Sequence, residues 1–181
     1  MKIIITGANN GLGLHMCNVL LSNEHAVFAI SRNIGNLKKI KNPRLKYYQV
    51  NIKDYNHIQK VIDEIHGVSK KIDVLINNAA VYLKSNLENS DIQDVDNIID
   101  TNVKGTIYVT KLTLSKLLNG PGKIIMINSV AGNHAIKNET IYCASKFAIK
   151  GFSESLQMEL KRKNISITNI HPGGINTTLW N

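Results

Sequence analysis

The chain has 181 residues, 43% of them apolar and 19% charged. That length fits one domain on a prior of roughly 100–200 residues each, and the apolar share excludes a disordered chain. Two cysteines, Cys17 and Cys143, exclude a disulfide framework and a cysteine-based zinc site. The net charge of +9 rests on separate clusters, Lys38-Lys39-Lys41, Lys70-Lys71 and Lys161-Arg162-Lys163, so it reads as solvated surface and not as a nucleic-acid footprint.

Met1-Lys2-Ile3-Ile4-Ile5 meets Thr6-Gly7 too soon for a signal peptide, and no apolar run has the length of a membrane span. A reduced, cytoplasmic setting without membrane attachment is expected. Short apolar runs then alternate with amphipathic stretches, the pattern of a parallel sheet covered by helices. Strands are expected at Lys2–Ile5, Ala26–Ile30, Leu45–Val50, Val74–Ile76, Lys123–Asn128 and Ser166–Ile170. Helices are expected at Gly11–Leu21, Ile58–His66, Asp91–Leu118 and Glu139–Lys163. Ile92, Val95, Ile99, Val103, Ile107, Leu114 and Leu117 predict a buried stripe along the long central helix. Asn138 is the expected N-cap of the last helix, with Glu139 on the favourable side of its dipole. Right-handed crossovers between these strands give an α/β doubly wound parallel sheet of Rossmann type, in the order 3-2-1-4-5-6. Residues 1–181 are read as a single domain that binds a dinucleotide and also carries the catalytic residues.

Gly7, Gly11 and Gly13 fall between the first strand and the first helix. Glycine there permits a tight turn and close approach of the backbone to a pyrophosphate, with the helix N-terminus offering N–H groups to it. Tyr142 and Lys146 are four residues apart on one helical face. A cation beside a phenol favours the phenolate and makes it usable as an acid or base near neutrality. Ser129 follows the fifth strand, at the carboxyl end where open α/β sheets bind ligands, thirteen residues before Tyr142.

Thr6-Gly7-Ala8-Asn9-Asn10-Gly11-Leu12-Gly13, Ser129 and Tyr142-Cys143-Ala144-Ser145-Lys146 together resemble the short-chain dehydrogenase/reductase family in its non-extended branch. The resemblance covers nearly the whole chain. It implies that Tyr142 exchanges a proton with a carbonyl or alcohol oxygen, that Lys146 lowers the phenol pKa and holds the nicotinamide ribose, and that Ser129 positions the substrate oxygen. Asn102 is implied to kink the central helix and serve a proton relay.

For the cofactor, the resemblance implies contacts from Gly7, Asn9, Asn10, Gly11, Leu12 and Gly13 in the turn. Asn51 and Ile52 would face the adenine; Asn78, Ala79 and Ala80 end the fourth strand in an N-N-A-G-like motif. Pro172, Gly173, Ile175 and Thr177 belong to the segment that runs over the nicotinamide, together with Tyr142 and Lys146. Where an NAD-selective acidic residue would stand, the chain has Ser31 and then Arg32. A guanidinium able to pair with a 2′-phosphate favours NADP(H), with NAD(H) the less favoured cofactor.

No metal is expected, because His171 has no partner at ligand spacing, and no G-x-S-x-G elbow marks a hydrolase. The expected activity is NADP(H)-dependent interconversion of a small-molecule carbonyl and alcohol. The alternative is a non-catalytic NADP(H)-binding or sensor module, because the seventh strand and substrate region usual in the family are missing. The chain is thus either a minimal member or part of a longer one. Ile141, Phe147, Ala148, Phe152, Leu156 and Leu160 predict a homodimer through the 91–118 and 139–163 helices.

Overall fold

In the computed structural model, which describes residues 1–116, 118 and 120–175, six parallel strands form one sheet in the order β3-β2-β1-β4-β5-β6. The strands are β1 Lys2–Thr6, β2 Ala26–Ser31, β3 Leu45–Gln49, β4 Val74–Asn77, β5 Gly122–Ile127 and β6 Ile165–Ile170. Each begins within one residue of its expected start; β1, β2 and β4 are apolar runs buried on both faces, while the edge strands β3 and β6 are partly exposed. In-register pairs such as Ile5 with Ile76, and Ile127 with Ile170, bring the strand ends to one edge. Expectation and structure agree on the doubly wound sheet.

Helices α2 (Tyr55–Val68) and α5 (Thr140–Leu160) pack on one face of the sheet, and α1 (Gly11–Ser22) on the other. Ile58, Ile62, Ile65 and Leu75 anchor the first core with no side-chain exposure; Ile3, Ile5, Cys17 and Leu37 anchor the second. α2 starts three residues before its expected boundary, since the Asp54 carboxylate accepts from His57 N–H at 2.9 Å and caps the extra turn.

The expected helix over Asp91–Leu118 is three pieces: α3 (Ile92–Ile98), a π-helical turn (Ile99–Gly105) and α4 (Thr106–Lys116). The predicted apolar stripe is not the buried one. Ile92 is 72% exposed, and Val95, Ile99, Val103, Ile107 and Leu114 are only half-buried. The buried line runs instead through Ile98, Asn102, Thr106, Val109, Thr110 and Thr113. Within it Thr110 donates to the Thr106 carbonyl at 2.7 Å and accepts from Asn77 Nδ2 at 2.9 Å, whereas the buried Thr113 hydroxyl has no hydrogen-bond partner among the described residues. Leu117 lies outside the described residues.

Asn138 does not cap α5. It adopts a left-handed conformation at φ 65° and its carbonyl accepts from Ser85 N–H at 2.8 Å, so Glu139 takes the cap position.

Candidate active site

The carboxyl ends of the strands open into a cleft of about 540 Å³. Its floor is the β1–α1 turn. Gly7 has φ +66°, a left-handed conformation, and a side chain there would fall 2.8 Å from the Ala79 Cα. A Cβ on Gly13 would lie 2.2 Å from the Gly7 carbonyl oxygen, so only glycine lets α1 close on the turn. Asn78 fastens this turn to β4: its Nδ2 donates to the carbonyls of Thr6 at 3.0 Å and Gly7 at 3.2 Å. The Thr6 hydroxyl accepts from the N–H groups of Asn78 and Ala79, both at 3.0 Å. Gly11, Leu12 and Gly13 form the first turn of α1 and line the cleft. N–H groups in a first turn have no intrahelical acceptor and, with the helix dipole, suit a phosphate.

Ser31 ends β2, and exposed Arg32 follows it along the same wall. The next loop is tied back to the glycine turn. Asn9 Oδ1 accepts from Asn36 N–H at 2.9 Å, and Asn36 Nδ2 donates to the Asn9 carbonyl at 3.1 Å and to Asn10 Oδ1 at 2.8 Å. Asn9 and Asn10 therefore act through their side chains on the Arg32 loop, a role the sequence reading missed. Asn51 and Ile52 line the cleft beyond β3; the Asn51 amide oxygen already accepts from Lys53 N–H at 3.1 Å and keeps one acceptor site.

At the other end stand Ser129, Tyr142 and Lys146. Ser129 caps a short 3₁₀ turn, Val130–Gly132, accepting from Ala131 N–H at 3.1 Å, and it lines the cleft together with Tyr142. His171 Nδ1 lies 2.9 Å from the Ser129 carbonyl oxygen. Lys146 is 4% exposed; its Nζ donates to the Ile127 carbonyl at 3.2 Å and lies 5.6 Å from the Tyr142 ring centroid. Asn128 Nδ2 holds the Lys146 backbone carbonyl at 3.2 Å.

Burial pushes the Lys146 ammonium down to about 8. The Tyr142 phenol is shifted upward, first by burial and then by Glu139 and Cys143, while the neighbouring Ser129 hydroxyl opposes the rise. The expected lowering by Lys146 is therefore not found in this geometry. The ammonium sits over the ring, 5.6 Å from its centroid.

Asn102 does not line the cleft. Its side chain reaches from the π-helical turn to Val81, which does, and Nδ2 also donates to Ser145 Oγ at 3.1 Å. Pro172, Gly173, Ala79, Ala80 and Ile175 close the cleft rim. Thr177 lies outside the described residues. Tyr82, another lining residue, stacks edge-on against Tyr142 with centroids 5.0 Å apart. Its place just after Asn77-Asn78-Ala79-Ala80 was the only sequence signal for it. Among the described residues, no cluster of three or more His, Cys, Asp or Glu could hold a metal, and no helix is long and apolar enough to cross a membrane.

With this geometry established, the chain can be set beside the proteins to which it is similar. An uncharacterized oxidoreductase of Staphylococcus saprophyticus is 30% identical over 184 residues, spanning 97% of this chain and 79% of that protein. One from Staphylococcus aureus is 28% identical over 181 residues, covering 97% of this chain and 78% of its own length. Among solved structures, ElxO with NADP bound superposes with a TM-score of 0.87 at 26% identity, over 98% of this chain and 75% of the other. Serine dehydrogenase from Escherichia coli superposes with a TM-score of 0.88 at 27% identity, over 96% and 82%. The short chain dehydrogenase profile matches residues 1–181 from end to end. The chain belongs to the short chain dehydrogenase family of oxidoreductases.

Proposed function

We propose that the chain is an NADP(H)-dependent oxidoreductase that interconverts a carbonyl and an alcohol, with Tyr142 as general acid and base. The observation that carries this reading is one continuous cleft with the glycine turn, the N-terminus of α1 and Arg32 at one end and Ser129, Tyr142 and a buried Lys146 at the other. The residues fit the cofactor: the glycine turn leaves no room for side chains where a pyrophosphate would lie, and a lysine pushed down to about 8 keeps most of its charge at neutral pH.

When bound, the nicotinamide supplies or accepts the hydride. Ser129 orients the substrate oxygen, Tyr142 gives that oxygen its proton or takes it back, and Lys146 lies behind the phenol to hold the ribose. Geometry of this kind converts a bimolecular encounter into an oriented one. Asn102, joined to Ser145 on the neighbouring turn of α5, is assigned to the relay that reprotonates the phenol by way of Lys146. Arg32 is assigned to the 2′-phosphate, with no carboxylate at Ser31 to repel it. The complex of ElxO with NADP supports that choice by similarity.

The test is oxidation of NADPH by the purified chain across a panel of aldehydes and ketones. Carbonyl-dependent turnover is expected. Binding of NADPH with no turnover on any member would leave a cofactor-binding module in place of an enzyme.

A further inference from the structure

We propose that Tyr82 and Glu139 are a positioning pair for Tyr142, in which a buried carboxylate holds the neighbouring phenol in its protonated form. Glu139 occupies the N-cap of α5, where an acidic side chain ordinarily accepts from the first-turn N–H groups. It makes no such bond. Its carboxylate is turned to the Tyr82 hydroxyl, which donates at 2.8 Å, and the residue is only 7% exposed. Tyr82 in turn sets its ring edge against Tyr142 at an interplanar angle of 85°. The loop carrying Tyr82 is pinned to the start of α5 by the Ser85 N–H bond to the Asn138 carbonyl, so the pair is held from both sides.

The electrostatic consequence follows from position. Tyr142 is the third residue of α5, where the positive end of the helix dipole would favour a phenolate. A carboxylate at the cap opposes that field and repels a second negative charge on the same turn. The groups that face the phenol are Glu139, Cys143 and Lys146 on α5, Tyr82 on the loop after β4 and Ser129 after β5, with His171 beyond Ser129. Of these, Glu139 carries the negative charge, and the Tyr82 hydroxyl tempers it through a charge-assisted bond. A protonated phenol is the donor that carbonyl reduction needs, whereas alcohol oxidation needs the phenolate. The pair thus arms the reductive direction at neutral pH.

This inference rests on the reading of Tyr142 as the proton donor, but its test needs no turnover, so the two can fail separately. Tyrosine labelled at Cζ is incorporated, the Tyr142 resonance is assigned by its loss in Tyr142→Phe, and its ionisation is followed by NMR. Glu139→Gln keeps an acceptor for Tyr82 and removes the charge. It should bring Tyr142 ionisation to lower pH, raising the phenolate fraction below the parent midpoint about threefold or more. Tyr82→Phe keeps the ring contact and removes the donor, so ionisation should stay at the parent pH or move higher. An unchanged titration in Glu139→Gln overturns the proposal. So does a lowered one in Tyr82→Phe, which can be read even if the glutamine variant does not fold.

Discussion

Asn102 satisfies both backbone polar groups of Val81 at once: its Oδ1 accepts from the Val81 N–H at 2.8 Å and its Nδ2 donates to the Val81 carbonyl at 2.9 Å. The π-helical turn at Ile99–Gly105 is the local distortion that accompanies this clamp, and such turns concentrate at functional sites. Val81 lines the cleft, so the clamp fixes part of the wall beside the phenol.

Asn102→Leu strands both Val81 groups and Ser145 Oγ loses a donor. An unsatisfied buried group costs about 1–3 kcal/mol, so the variant should lose about 2–4 kcal/mol in urea unfolding. Turnover should fall with it. A stability within about 0.5 kcal/mol of the parent would show that the clamp is dispensable.

Lys146 gives a pH prediction with a definite sign. Its pKa falls from 10.5 in the unfolded chain to about 8 in the folded one. Between those values the unfolded state binds more protons, so stability rises with pH across that window and the full penalty applies below about 8. At about 1.4 kcal/mol per pKa unit the penalty is about 3 kcal/mol. Lys146→Met should therefore be more stable than the parent at neutral pH and lack its gain between 8 and 10.5, while losing turnover. Parallel stability curves for the two proteins would show that the ammonium is not held at a cost.

Arg32 should carry cofactor selectivity. A hydrogen bond to a charged group is worth about 1.5–3 kcal/mol, so Arg32→Ala should weaken NADPH binding about tenfold or more and leave NADH unchanged. Ser31→Asp combined with Arg32→Ile should reverse the preference by adding a ribose acceptor and a repulsion together. Titration of both reduced cofactors decides it. Equal affinities in the parent would refute the assignment.

The dimer proposal now rests on a smaller face than the sequence implied. Ile141, Leu156 and Leu160 pack inward, while Phe147 is 44% exposed and the half-buried Ile99, Val103 and Ile107 are available on the neighbouring helix. Phe147→Glu should convert a dimer to monomer in light scattering. A parent that is monomeric at high concentration would end the proposal.

Much of this site was legible in the residues, and the misses have physical causes. Strands buried on both faces announce themselves as apolar runs, and the glycine turn by spacing that a helix packed this close requires. The central helix misled because its inward line is polar: Thr110 bonds the Thr106 carbonyl and Asn77, and Asn102 bonds Val81 and Ser145, so burial there leaves no apolar signature. The cap of α5 misled because Asn138 is in the left-handed region, which makes it part of the preceding turn. Tyr82 and Glu139 meet only in three dimensions, 57 positions apart in the chain, and no local pattern joins them.

The central claim is that Tyr142 moves the proton in an NADP(H)-linked reaction, and the most direct measurement compares Tyr142→Phe with the parent in two assays. In NADPH titration the two should bind alike, since the phenol hydroxyl contributes to the transition state and not to dinucleotide affinity. In carbonyl reduction the variant should fall by about 10²–10⁴-fold, the range of general acid–base catalysis. Reduction by the phenylalanine variant at the parent rate would contradict the account.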